Sequence, residues 1–220
     1  MVFSQRSYQK ELLDRDDIPF SDIAQNMKEL EFINTHLGGH AITLQGLRSI
    51  LPVDPVSKSE LLICEIGCGG GDNLRVISNW CKSKNIKVTT LGIDINADCI
   101  DFAKSQTKLA NADWIHSDYR QIHFIHKPDI IFSSLFCHHF NDGEMGEQLK
   151  WMNQNANIGF FINDLHRHPL AYYSIKWLSR IFSRSHLVKN DAPLSVLRGF
   201  RKKELKFLVE GVRPAGLFWS

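Results

Sequence analysis

Apolar positions near the start of the chain recur at helical spacing. Ile23, Met27, Leu30, Ile33 and Leu37 fall three or four residues apart, which predicts an amphipathic helix that Ser21 can cap and Gly38-Gly39 stops. Leu44, Leu47 and Ile50 predict a second helix ending at Pro52, and a polar stretch at 54–60 leads onward. From Leu61 the rhythm changes. Short apolar runs at 61–66, 88–93, 114–115, 130–134 and 158–162 alternate with helical or loop segments, including helices that begin near Asp72 and Asn96. Five such runs predict an α/β fold, a doubly wound, mostly parallel Rossmann-like sheet with an N-terminal helical extension. The division expected is a helical cap at 1–58 and the sheet domain at 59–220. After the fifth run, His168-Pro169 opens a helix carrying Leu170, Tyr172, Tyr173, Ile175, Trp177, Leu178, Ile181 and Phe182. A helix so apolar all round is expected to be buried or to roof an apolar ligand pocket. A last helix is expected at about 202–210.

Composition narrows the class. At 220 residues, 43% hydrophobic and 23% charged, the chain is long enough for one well-buried domain. A net charge of +2 argues against a nucleic-acid partner, whose electrostatic footprint is plainly basic. The short run of Arg198, Arg201, Lys202 and Lys203 reads as a solvated helix start. Five cysteines with no Cys-x-x-Cys pair and no secretory segment before them imply reduced thiols and a cytoplasmic protein. No apolar run reaches the ~18 residues of a membrane span.

In a doubly wound sheet the ligand lies at the carboxyl ends of the strands. The first run ends in Glu65-Ile66-Gly67-Cys68-Gly69-Gly70-Gly71, where residues without a Cβ let backbone approach a ligand. A dinucleotide site of the form G-x-G-x-x-G needs a third glycine at 72, but Asp72 stands there and would repel a docked pyrophosphate. The loop therefore suits a ligand without phosphate. Asp94 ends the second run, and its two oxygens can accept from both hydroxyls of a ribose.

These residues resemble the class I S-adenosylmethionine-dependent methyltransferases, whose first motif reads acid-x-G-x-G-x-G; Glu65, Gly67, Gly69 and Gly71 match its four positions. The resemblance implies that Glu65 sits by the methionine amino group of S-adenosylmethionine, later S-adenosylhomocysteine, with Gly67 and Gly69 under its sugar and tail. Cys68, Gly71, Asn73, Ile95 and Ser134 are expected to line the same site. Asp118 is placed to accept from the adenine amino group, and Tyr119 to stack on or beside the base.

Methyl transfer is an in-line displacement, and a phenol or enol acceptor gains from a nearby base. His138, His139, His166 and His168 fall at two adjacent strand ends. His139 is the candidate base, with His138 and His166 as rivals, while Asn163, Asp164 and Arg167 would shape the mouth. A metal site of those histidines with Asp164 is the alternative; none is expected, because adjacent histidines diverge. Cys68 and Cys137 read as small hydrophobes.

The likeness extends over nearly the whole chain. Glu11-Leu12-Leu13-Asp14, Ile33-Asn34-Thr35-His36-Leu37-Gly38-Gly39, His138-His139, the stretch Asn163 to Ala171 and Leu194-Ser195-Val196-Leu197-Arg198 are similar to a bacterial subgroup akin to the ubiquinone-pathway methyltransferases, found beside polyketide and aryl-lipid pathways. That implies a small phenolic, quinol or polyketide acceptor and O-methylation as part of secondary metabolism. A homodimer is compatible with it. The family sheet closes with a sixth strand and an antiparallel seventh. After Glu210 only about one strand's worth of chain remains, so the antiparallel strand is expected to be missing. A cofactor-binding protein without catalysis is accordingly the alternative reading.

Overall fold

The computed structural model describes residues 3–15, 17–51, 60–106, 109 and 111–210. The stretch at 52–59 and the tail at 211–220, with the expectations that fall on them, lie outside the described residues. Two helices, α1 (Phe20–His36) and α2 (Gly39–Ile50), precede the sheet. The alternation then runs β1 (Leu61–Ile66), α3 (Asp72–Ser83), β2 (Val88–Asp94), α4 (Ala97–Gln106), β3 (Ala112–His116), β4 (Ile130–Ser134), α5 (Asp142–Asn155) and β5 (Gly159–Asn163). Three helices follow, α6 (Pro169–Phe182), α7 (His186–Arg198) and α8 (Lys202–Glu210). The described strands form one parallel sheet in the order β3-β2-β1-β4-β5.

The central strands are apolar on both faces because both faces are covered, as parallel sheets require. One face packs Ile63, Ile130, Phe132 and Phe161 against Leu47 of α2, Leu74 and Ile77 of α3 and Ile100 of α4. The other packs Cys64, Ile66, Ile131 and Phe160 against Met145, Leu149 and Met152 of α5 and Leu205 and Val209 of α8. The leading helices are built into these layers. A Cβ on Gly46 of α2 would run into the Phe161 ring, and α1 sets Ile23 and Met27 on Cys99 and Phe102 of α4.

One expectation needs correction. The N-cap of α1 is Pro19, two residues before Ser21, with extended backbone and no side-chain cap, and the helix begins at Phe20. The helix α7, with Pro193 inside it and a mixed polar surface, carries no clean apolar period and was not foreseen as a unit. Of the two alternatives for the apolar helix α6, the roof is the one found: Ala171, Ser174, Ile175 and Leu178 line a cavity, while Leu170, Tyr173, Trp177 and Ile181 are exposed on the outside.

Candidate active site

The strand order reverses on either side of β1, and the crevice this opens lies beyond the carboxyl ends of β1, β2 and β4. There a cavity of about 1330 Å³ reaches from the glycine loop to α6 and α7. A pocket for one drug-sized ligand holds roughly 300–1,000 Å³. This cavity therefore has room for two ligands side by side.

At its floor, Glu65 is fully buried between β2 and β4. Its Oε1 accepts from Asn73 Nδ2 at 3.0 Å, while Oε2 has no partner among the described residues. Burial, the charge of Asp72 and, more weakly, that of Asp94 push Glu65 well above the ordinary carboxylate range, against the Asn73 hydrogen bond. A buried acceptor left open at a cavity costs stability unless a ligand fills it. A cationic amine is the group that would satisfy it and reverse the shift.

The glycine loop brings a second acid to the same wall. Gly67, Gly69 and Gly71 all have positive φ, +67°, +49° and +75°, so the loop curls in a way side chains resist. Asp94, at the end of β2, accepts from Gly69 N–H at 2.9 Å on one oxygen and from Asn96 N–H at 2.9 Å on the other. Both oxygens keep lone pairs toward the cavity. Burial raises Asp94, with the two backbone hydrogen bonds opposing. Beside it Ile95 is two-thirds exposed, an apolar surface on which a flat base can lie.

The loop is pinned from the other side by the leading helices. Asp72, the first residue of α3, accepts from His40 Nε2 at 2.7 Å and from Asn34 Nδ2 at 3.2 Å. Burial would raise Asp72, but those hydrogen bonds and the charge of His40 outweigh it and hold the group below its ordinary 3.8. A lowered pKa means the contribution is present above 3.8 and lost as the pH falls through the folded-state value. Asp72→Asn should therefore be less stable than the parent at pH 7, and the deficit should shrink below about pH 4 in urea titrations. An equal deficit at both pH values would count against the pair.

Ser134 and Asn163 extend the polar wall. Asn163 Nδ2 donates to Thr43 Oγ1 at 3.1 Å and Ser134 Oγ at 3.2 Å, and Thr43 Oγ1 donates to Asn73 Oδ1 at 3.1 Å. Leu135, with φ +53°, turns the chain sharply out of β4 and delivers Phe136 onto Gly67, where a Cβ would run into the ring.

At the far end stand the histidines. His138 is buried, with Nδ1 2.7 Å from Asp164 Oδ1 and Nε2 3.5 Å from Glu11 Oε1. Burial alone would lower it, but the Asp164 and Glu11 carboxylates prevail and raise it to about 9. His139 borders the cavity with its side chain 24% exposed, Nδ1 3.1 Å from Asp14 Oδ1 and Nε2 3.9 Å from Glu11 Oε2. Burial raises Asp14, yet His139 and Arg198 outweigh it and bring it down to about 2. Glu11 and Asp14 flank a short turn, Leu12–Asp14, held by Asp191 of α7, which accepts from Leu12 N–H at 2.8 Å and Leu13 N–H at 2.9 Å. Arg198 ties both histidine carbonyls, His138 at 3.2 Å and His139 at 3.0 Å.

Several expected residues are buried or held by other partners. Gly71 serves packing, since a Cβ there would strike the Trp114 ring. The Cys68 side chain is buried, and burial pushes its thiol well up. Asp118 borders the cavity, but Arg120 grips both its oxygens, at 2.9 and 3.0 Å through Nε. Tyr119 is buried edge-on to Trp151 at 5.0 Å and lines the cavity beside Asp118. His166 is exposed, stacked on His168 at 5.7 Å, and lines the same cavity as the other pair. Arg167 is buried, bonds to Phe3 O and Glu204 and does not reach the cavity, whereas Asp164 lines it as the partner of His138. Arg198 is buried and is no part of a solvated helix start. The His138 and His139 rings converge, 4.4 Å apart, where divergence was expected, because both lean toward Glu11 and Asp14.

This geometry agrees with comparisons to other proteins. Residues 63–159 match the methyltransferase domain family. Among solved structures, the chain is similar to the plantazolicin methyltransferase BpumL in complex with S-adenosylhomocysteine, with a TM-score of 0.62, 22% identity, and coverage of 89% of this chain and 69% of that one. Human N-acetylserotonin methyltransferase in complex with S-adenosylmethionine gives 0.56 at 17% identity, covering 87% of this chain and 50% of that one. Magnesium protoporphyrin IX methyltransferase from Synechocystis PCC 6803 gives 0.51 at 12%, covering 85% and 71%. A search of curated protein sequences finds no match. The chain shares the Rossmann-like α/β fold of these methyltransferase structures.

Proposed function

We propose that this chain is an S-adenosylmethionine-dependent methyltransferase acting on an oxygen of a small phenolic, quinol or polyketide-type acceptor. The observation that carries the cofactor is the open Glu65 Oε2, buried beside Asp94 at the fold's ligand crevice. An amino acid ammonium fits Glu65, a ribose fits Asp94, and an adenine fits the Ile95 surface. S-adenosylmethionine supplies an electrophilic methyl: an acceptor oxygen pair forms the O–C bond as the C–S bond breaks and its pair stays on sulfur.

The acceptor end has two kinds of wall. Leu30, Ile33, Leu37 and Ile42 of the leading helices face Ile175 and Leu178 of α6, an apolar enclosure for a ring or acyl chain. His139 and Glu11 supply the polar edge, where an acceptor hydroxyl gives up its proton. His138 acts through position, not contact, since both its ring nitrogens face carboxylates. Removing the group that takes up an acceptor proton commonly costs 10²–10⁴ in rate. His139→Ala is therefore expected to lower kcat on a methylated phenol about 100-fold or more, with S-adenosylmethionine affinity little changed. The assay is transfer of labelled methyl across a panel of phenols, quinols and enols. No product from any acceptor by a chain that binds the cofactor would favour binding without catalysis.

A further inference from the structure

Glu11, His138 and His139 each present a ligand atom, and these atoms lie within 4.8 Å of one another at the cavity wall. His138 Nε2 lies 3.5 Å from Glu11 Oε1 and His139 Nε2 lies 3.9 Å from Oε2, each near the spread of about 3.4 Å between ligands on a tetrahedral ion with bonds of ~2.1 Å. Each imidazole is also backed in the manner of a metal ligand. His138 gives Nδ1 to Asp164 and His139 gives Nδ1 to Asp14, which leaves both Nε2 atoms turned toward Glu11. A carboxylate on the far nitrogen of a ligand histidine fixes its tautomer and raises its basicity.

The surroundings hold the set rigid. Asp191 fixes the turn that carries Glu11, Ser195 Oγ donates to Glu11 Oε1 at 2.8 Å, and Arg198 anchors the His138 and His139 backbone. Arg198 Nε stands 3.7 Å from Glu11 Oε1, the oxygen nearest His138, while Oε2 faces His139, so the carboxylate presents one oxygen to each imidazole. Three carboxylates, Glu11, Asp14 and Asp164, offset the charge of a divalent ion held by neutral imidazoles.

We propose that Glu11, His138 and His139 form a binding site for a zinc-type divalent cation whose remaining position opens to the acceptor side of the cavity. Two imidazoles and one carboxylate suit zinc, cobalt or ferrous iron better than magnesium or calcium, which take all-oxygen sets. Binding displaces the protons otherwise held between the imidazoles and Glu11. The role of the ion rests on the methyl-transfer reading above; the binding itself does not. With Nε2 on the ion and Nδ1 on Asp14, His139 takes up no proton, and the ion replaces it by polarising the acceptor hydroxyl so that its proton leaves to solvent.

The test uses the full chain, stripped with a chelator, dialysed, and titrated with Co²⁺ followed by visible absorption and with Zn²⁺ by competition. One ion per chain is expected, lost in His139→Ala and weakened about 10–100-fold in Asp14→Asn. His126→Ala, an exposed histidine outside the cluster, keeps the ion. Circular dichroism and S-adenosylmethionine affinity are read on the same samples. No stoichiometric ion, or an unchanged ion in a folded His139→Ala chain, overturns the site. Ion binding without cofactor binding overturns the methyl-transfer reading and leaves the site standing.

Discussion

Asp94→Ala should bind S-adenosylmethionine at least about 100-fold more weakly than the parent chain while remaining folded. Both carboxylate oxygens are aimed by backbone N–H groups, Gly69 on one and Asn96 on the other. A ribose would meet two preset acceptors. A hydrogen bond to a charged group is worth roughly 1.5–3 kcal/mol, and two of them amount to about 3–6 kcal/mol, or 10² to 10⁴ in affinity. Folding should suffer little, because burial already raises Asp94 and so disfavours its charge in the native state. Water in the cavity can accept from the two freed N–H groups. Calorimetric titration checks this, and an affinity unchanged in the mutant would mean that the ligand sits elsewhere.

The second large effect is on stability. Asp164→Ala should lower the melting temperature by roughly 6–20 °C. Asp164 accepts from the His138 ring at 2.7 Å, from His138 N–H at 3.0 Å and from Leu165 N–H at 2.7 Å, all in a buried setting. Removing one partner of a buried charged pair costs about 3–5 kcal/mol, since the other is left uncompensated. In a chain of this size each kcal/mol shifts the midpoint by about 2–4 °C. Asp164→Asn keeps the shape and part of the hydrogen bonding and should lose less. A scanning-calorimetry midpoint that does not move on Asp164→Ala would show that His138 is held by Glu11 alone.

Local features made the cofactor end readable. Glu65, the glycines and Asp94 act within one strand–loop–helix unit and the strand beside it, so spacing alone placed them together. The sheet was readable for the same reason, since apolar runs of five or six residues mark buried parallel strands. The acceptor end depends on distant parts of the chain. Asp14 reaches His139 only because Asp191, far along in α7, holds the turn that carries it. Charged residues misled wherever burial decided their role: Arg167 and Arg198 look like surface groups in sequence, yet each satisfies backbone carbonyls inside the fold. Gly71 misled through packing, because a glycine next to a motif serves the core as readily as a ligand. The open Glu65 oxygen is invisible in sequence, and it carries the reading of the site.

The central claim is that the crevice at the ends of β1 and β2 holds the cofactor, and a crystal structure of the chain with S-adenosylhomocysteine tests it most directly. The account predicts the ligand's amino group on Glu65 Oε2, its ribose on Asp94 and its adenine against Ile95. A ligand bound with Glu65 and Asp94 both untouched, or a crevice without ligand at saturating concentration, would contradict it.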